Sequence, residues 1–156
     1  MNTLQAFLIA VIEGITEYLP VSSTAHMVFL SSYFGIQEDD FVKLFQVSIQ
    51  FGAILAVVAL YWKKFFNFSS KNVAITFYLK LICAVIPALV LGKLFDDKIE
   101  AVLGDPIPIA IVLILGGIVL LFIDNHFKNP TVLKEEDITL KKAVTIGFWQ
   151  CLAMMP

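Results

Sequence analysis

The chain has 156 residues, of which 59% are apolar and only 15% are charged, and its mean hydropathy is +0.87. A soluble domain of this length needs a polar surface that so few charges cannot cover, so the composition indicates an integral membrane protein. The formal net charge of −2 excludes the strongly basic balance that nucleic-acid binding requires, and every basic residue is a lysine.

The first 36 residues predict two short helices separated by a break. Leu4–Ile12 is apolar but too short to cross a bilayer, and a second short apolar run, Met27–Phe34, follows Pro20. Proline removes a backbone donor and disfavours helix at the preceding residue. Irregular backbone at membrane depth survives only where protein or a water-filled cavity satisfies it. Residues 1–36 are therefore predicted to form a re-entrant hairpin whose two ends lie on the same side of the membrane.

The segment EGITEYLPVSSTAHM, Glu13–Met27, concentrates polar groups at this break. Glu13 and Glu17 are four residues apart, so a helix places both carboxylates on one face, where they repel each other when both are ionised. A divalent cation that prefers oxygen ligands, Mg²⁺ or Ca²⁺, would remove the repulsion, as would a proton on one carboxylate. The alternative is a pair at the aqueous rim of the hairpin that serves only solubility. The cost of burying acids in an apolar segment favours the functional interpretation.

Ser22, Ser23 and Thr24 follow the proline and predict an N-cap for the second short helix. The free N–H groups and positive dipole end of a helix N-terminus suit a phosphate, so one hydroxyl can cap while another contacts the substrate. His26 would lie on the same helical face as the two serines, and a serine beside a histidine allows a base-assisted nucleophile. The alternative for His26 is a purely structural hydrogen bond.

Three later segments are long and apolar enough to cross a bilayer, which takes ~20 residues. They are Val42–Trp62, Val73–Phe95 and Ile107–Ile123. Lysines dominate the loop at 63–71 and are frequent at 124–142, whereas acids outnumber them in the loop at 93–105. The positive-inside rule therefore predicts that the first and last of these loops are cytoplasmic, and that the middle loop and the ends of the N-terminal hairpin are outside.

A weak internal repeat relates the two ends of the chain. TLQAFLIAVIEGITEYLP (Thr3–Pro20) and TLKKAVTIGFWQCLAMMP (Thr139–Pro156) align without gaps, and both begin with Thr-Leu and end in proline. The first copy starts outside and the second starts from the cytoplasmic side, which predicts an inverted repeat with broken helices meeting near the midplane. Residues 139–156 would be the first half of a second hairpin in a truncated chain. The predicted fold is a single all-α membrane domain of transmembrane helices and re-entrant hairpins.

The polar segment closely resembles the first signature of the undecaprenyl-diphosphatase family, also known as the bacitracin-resistance proteins, Glu-Gly-x-Thr-Glu-Phe-Leu-Pro-Val-Ser-Ser-Thr-Gly-His. This chain departs from it at Tyr18 and Ala25, which stand in place of phenylalanine and glycine. The resemblance continues in FQVSIQFGAILAVV (Phe45–Val58), IPALVLGKLF (Ile86–Phe95) and GFWQCLAMMP (Gly147–Pro156). It therefore covers nearly the whole chain.

The resemblance implies a phosphatase of the bacterial cell (inner) membrane that converts undecaprenyl diphosphate, a polyprenyl diphosphate lipid, to the monophosphate carrier of peptidoglycan synthesis. It implies dependence on a divalent metal and an active site that faces the exported side, in agreement with the outward hairpin. The candidate site residues are Glu13 and Glu17 as metal ligands or acid–base groups, Ser23 and His26 for nucleophilic attack or proton transfer, and Ser22 and Thr24 for substrate binding.

The second signature of that family, Pro-Gly-x-Ser-Arg-Ser, would begin at Pro156, so its phosphate-binding arginine is absent and the isolated chain is expected to be inactive. An alternative function is a membrane transporter or lipid translocase that uses the glutamate pair for proton or cation coupling, because broken helices and midplane carboxylates are also transporter features. A third is a non-catalytic, membrane-embedded structural piece.

Overall fold

The computed structural model of the protein describes residues 1–95, 98–99, 102, 105–126, 132, 134 and 137–152, and regular structure within these ranges is helical, without a strand. The α-helices are α1 (Thr3–Thr16), α2 (Ser23–Tyr33), α3 (Asp40–Leu60), α4 (Trp62–Phe66), α5 (Lys71–Leu94), α6 (Pro106–His126) and α7 (Leu140–Leu152). The predicted all-α class is confirmed. Residues 153–156, the end of the predicted second half-hairpin, lie outside the described residues.

Helices α3 and α5 and the stretch Pro106–Ile123 of α6 are long and apolar enough to cross a membrane. Their large apolar side chains point away from the rest of the chain: Leu60 and Leu121 are each 74% exposed and Leu94 is 70% exposed. Apolar exposure on this scale is unfavourable in water and favourable in lipid. The chain is therefore an integral membrane protein.

Helices α3 and α5 each begin two residues before the spans predicted from hydropathy. Apolar residues mark the lipid-facing part of a helix, whereas a capping side chain marks its first turn. Asp39 accepts a hydrogen bond from the backbone N–H of Phe41 at 2.9 Å, and Ser70 accepts one from that of Val73 at 3.4 Å. These polar caps lie outside the apolar runs, so hydropathy alone places both helix starts too late.

The chain divides into two compact units, of which the first contains Met1–Asn67 and Val102–Ile114. Its core joins Ile9 of α1, Met27 of α2 and Val42 of α3, all fully buried. The partly buried side chains around this core are Met1, Leu30, Ile36, Phe45 and Ile49. The N-terminal amino group lies 3.7 Å from Oδ2 of Asp39, so the start of α1 lies near the segment that follows α2 and the two helices run antiparallel as a hairpin. Its re-entrant position in a membrane stays a prediction.

The hairpin helices are too short to span. Helix α1 has 14 residues and α2 has 11. At 1.5 Å per residue they reach about 21 Å and about 17 Å, against a hydrocarbon core of about 30 Å. The hairpin therefore brings the polar segment between its helices to an intermediate depth if it enters the membrane from one side.

The second unit contains Phe68–Ala101 and Leu115–Met155, and within it α7 packs closely on α5. The contact is made by small residues: Ala143 and Gly147 are the buried residues of α7. A Cβ atom on Gly147 would lie 2.1 Å from the carbonyl oxygen of Ala84 and 3.1 Å from Cγ of Pro87. Small residues at such a crossing allow the helix backbones to approach, as is common between membrane helices.

We predict that Gly147→Ala destabilises the full-length protein by about 1–3 kcal/mol, the usual cost of overpacking. The added methyl group would collide with backbone of α5, which cannot swing aside as the tip of a side chain can. Thermal unfolding of the purified protein in detergent measures the effect.

The matched control is Gly117→Ala in α6, where an added Cβ meets nothing within 4 Å. Alanine is also the better helix former, so this variant should unfold at or above the wild-type temperature. Unfolding of Gly147→Ala at the wild-type temperature would contradict the close α5–α7 contact.

Candidate active site at the break between α1 and α2

The break between α1 and α2 is a short turn, Glu17–Ser22, built around Pro20, which has no backbone N–H. Hydrogen bonds within the turn pair some of its backbone N–H and carbonyl groups. Leu19 donates to the carbonyl of Thr16 at 3.1 Å, and Val21 donates to the carbonyl of Leu19 at 2.8 Å. Because these two bonds join backbone groups, the polar side chains of the segment can contact one another.

Ser22 closes the turn and caps α2. Its φ of 57° lies in the left-handed region, which costs a non-glycine residue about 1–3 kcal/mol and occurs most often at functional sites. Its hydroxyl accepts from the N–H of Ala25 at 3.3 Å, and its carbonyl accepts from the backbone N–H of His26 at 3.3 Å. The prediction that one serine caps the second helix is confirmed for Ser22.

Glu13 is a buried carboxylate without a hydrogen bond. It is 2% exposed, and neither of its oxygens is hydrogen-bonded to any described part of the chain. Glu17, one helical turn further along the chain, is half-buried and is the second acid of the pair. An unpaired carboxylate is expensive to bury, so a proton or a cation must accompany Glu13. This burial excludes the aqueous-rim interpretation for Glu13.

Ser23 is joined to Glu17 across the break. Its hydroxyl donates to Oε2 of Glu17 at 2.5 Å, and Ser23 itself is 7% exposed. This hydrogen bond links the first residue of α2 to Glu17, the C-cap residue of α1. A nucleophile is activated by a base within hydrogen-bond reach, and the Glu17 carboxylate holds that position relative to the Ser23 hydroxyl.

His26 occupies a different position from the one that the serine–histidine spacing suggests. Its Nδ1 lies 2.8 Å from the carbonyl oxygen of Ser22 and not against the hydroxyl of Ser23. A neutral ring that donates from Nδ1 carries its free lone pair on Nε2. The structure therefore brings Glu17 to Ser23, and leaves Nε2 of His26 as the ring nitrogen that can face a ligand.

The oxygen atoms at the break suit a hard divalent cation such as Mg²⁺ or Ca²⁺. Glu13 offers two carboxylate oxygens without hydrogen bonds, and Glu17 shares Oε2 with Ser23. Within the described ranges, no group of three or more His, Cys, Asp and Glu side chains forms a closed metal cage. Mg²⁺ commonly binds one or two carboxylates and completes its coordination with water and substrate phosphate, and the glutamate pair fits that pattern.

Helix α3 supplies two further contacts to the hairpin. The hydroxyl of Tyr18 donates to the carbonyl of Ala53 at 2.5 Å, and Nε2 of Gln50 donates to Oγ1 of Thr24 at 2.8 Å. Sequence analysis did not assign a role to Gln50. The feature of the sequence that could have identified Gln50 is its carboxamide inside a membrane-length apolar helix, where polar side chains are costly and mark functional positions.

Comparison with known proteins places these residues in a family. The model of the family described as Bacitracin resistance protein BacA matches residues 6–156. The chain is 53% identical over 156 residues to an undecaprenyl-diphosphatase of Flavobacterium psychrophilum, covering 100% of this chain and 56% of that protein. It is 43% identical over 166 residues to an undecaprenyl-diphosphatase of Porphyromonas gingivalis, covering 99% of this chain and 58% of that protein.

A third relative, an undecaprenyl-diphosphatase of Flavobacterium johnsoniae, is 52% identical over 157 residues, which cover 100% of this chain and 57% of that protein. The chain thus spans less than two thirds of the length of these curated relatives. The match to the family extends over the hairpin, the polar break and all three membrane-length helices. The chain belongs to the bacitracin resistance protein BacA family.

Proposed function

We propose that the full-length protein is a phosphatase of the bacterial inner membrane. It would hydrolyse undecaprenyl diphosphate to undecaprenyl phosphate and inorganic phosphate, and so recycle the lipid carrier of peptidoglycan synthesis. Family membership and the names of the relatives support this activity. The observation that carries it is the buried, unpaired carboxylate of Glu13 beside the Ser23–Glu17 hydrogen bond. Nothing in the relatives favours the transporter alternative.

The geometry supports Ser23 as the nucleophile in this proposal. Its Oγ would attack the terminal phosphorus while the bond to the bridging oxygen breaks, and Glu17 would accept the serine proton. The polyprenyl phosphate would leave as an anion, and Nε2 of His26, which carries the free lone pair, would accept a proton from the water that attacks in the second step. Water would then hydrolyse the phosphoserine and release inorganic phosphate, which restores the serine hydroxyl. Ser22 and Thr24 would contact the diphosphate at the start of α2.

Glu13 and Glu17 would hold the divalent cation in this site. When bound, the cation would neutralise negative charge on the diphosphate and on the glutamate pair. The donor set supports Mg²⁺ or Ca²⁺ in preference to a soft metal, because every candidate ligand is an oxygen.

We predict that Glu17→Gln lowers the rate of phosphate release by at least about 100-fold, the usual contribution of a positioned general base. The amide keeps the shape of the side chain but loses the charge that accepts the serine proton. The assay measures inorganic phosphate released from a polyprenyl diphosphate by full-length protein in detergent. Glu38→Gln is the control, because its side chain is 76% exposed and its one ion pair among the described residues is with Lys43. Wild-type turnover in Glu17→Gln would refute the proposed role.

We predict that Mg²⁺ or Ca²⁺ raises the melting temperature of the wild-type protein and that Glu13→Gln removes most of this rise. A cation that binds only the folded state at about 100 times its Kd stabilises it by about 2.7 kcal/mol. The measurement is thermal unfolding during a cation titration, and it does not depend on turnover. Glu38→Gln should keep the full shift. An undiminished shift in Glu13→Gln, or none in wild type, would exclude this cation site.

We predict that the α2–α3 loop, at the open end of the hairpin, faces the exported side and that the α4–α5 loop faces the cytoplasm. In a background where Cys83 and Cys151 are replaced by serine, Glu38→Cys should react with a membrane-impermeant maleimide in intact cells. Lys71→Cys should react only after permeabilisation. Both positions are exposed, so access depends on the side of the membrane alone. The opposite labelling pattern would reverse the proposed orientation.

A further inference from the structure

Gln50 places a hydrogen-bond donor inside a membrane-length apolar helix. It lies on α3 and its Nε2 donates to Oγ1 of Thr24, the second residue of α2, at 2.8 Å. Both side chains are half-buried. A carboxamide is expensive in hydrocarbon unless it is paired, so its presence here calls for a specific partner. The partner that the structure provides is a hydroxyl at the candidate active site.

The direction of this hydrogen bond determines what Thr24 can do. A hydroxyl has one hydrogen to donate and two lone pairs to accept with. Since Thr24 accepts from Gln50, one lone pair is occupied and its hydrogen remains available. No acceptor for that hydrogen occurs in the described part of the chain. The amide donor therefore favours rotamers in which the Thr24 hydrogen points away from Gln50, and this hydroxyl lies in the first turn of α2.

The neighbouring glutamine makes a contact of a different kind. Nε2 of Gln46, one helical turn before Gln50, donates to the backbone carbonyl of Met27 at 3.4 Å. That bond joins α3 to α2 but involves no side chain of the polar segment. Gln46 therefore serves as an internal reference for a residue that holds the two helices together without touching the site.

We propose that Gln50 is a positioning residue that orients the Thr24 hydroxyl as a hydrogen-bond donor to the diphosphate of the substrate. This inference rests on the proposed function, because the acceptor is the diphosphate group. Gln50 itself would not contact the reacting atoms. Its contribution would be to hold one donor in place before the substrate binds, which reduces the ordering cost of binding.

The test measures the Kd of a non-hydrolysable, methylene-bridged analogue of a polyprenyl diphosphate, with full-length protein in detergent and Mg²⁺ present. Gln50→Leu should weaken binding about fivefold to tenfold, because Thr24 keeps its hydroxyl but loses the contact that orders it before the substrate binds. Thr24→Val removes the donor itself and should weaken binding by at least about tenfold. In the double variant the two losses should not multiply, since both act through the same donor.

Two further variants separate positioning from packing. Gln46→Leu loses a bond between the same two helices, so it should change the Kd less than twofold even if it lowers the melting temperature. Thr24→Ser keeps the hydroxyl and should retain most of the affinity. Equal Kd values for wild type and Gln50→Leu, or equal losses in Gln50→Leu and Gln46→Leu, would overturn the inference.

The binding assay also distinguishes this inference from the proposed function. If the wild type binds the analogue but releases no phosphate from the true diphosphate, the phosphatase proposal fails while the Kd ratios still decide the role of Gln50. If the wild type does not bind the analogue, both proposals are rejected.

Discussion

The arrangement of the first unit depends on one constraint: a carboxylate is buried in an apolar chain without a hydrogen-bond partner in the described structure. Glu13 cannot be stable there as a lone ion, because the cost of desolvation has no local compensation. Glu17, four residues on, adds a second acid and not a counter-charge. Glu13 therefore requires a proton or a cation, and without one the two acids would repel a substrate phosphate at the start of α2.

The break at Pro20 explains how the other polar groups reach these acids. A continuous helix would keep its backbone groups paired and would separate Glu17 from Ser23 by nearly two turns. The turn instead starts a new helix at Ser23 and brings its hydroxyl into hydrogen-bond contact with Glu17. This arrangement requires a left-handed backbone at Ser22. The two serines therefore make different contacts. Ser22 caps the start of α2, and Ser23 carries the hydroxyl that is paired with a carboxylate.

Local sequence rules predicted the parts of this structure that depend on local interactions. The break, a hydroxyl cap among Ser22, Ser23 and Thr24, and the membrane-length helices follow from proline chemistry, capping preference and apolar run length. The partner of Ser23 could not be predicted, since the angle between α1 and α2 decides whether Glu17 or His26 meets its hydroxyl. Gln50 was also missed, because it lies 26 residues from Thr24 and no helical periodicity connects them.

The two segments of the predicted internal repeat align in sequence but bury different faces of their helices. Gapless alignment of the copies pairs each residue of α1 with one 136 positions later, so Glu13 corresponds to Trp149. Helix α1 buries Ile9 and Glu13, whereas α7 buries Ala143 and Gly147, which correspond to positions 7 and 11. A two-residue offset is about 200° around a helix, so the two copies bury opposite faces. The acid pair therefore occurs in the first segment alone: α1 carries the candidate site, whereas α7 packs closely on α5.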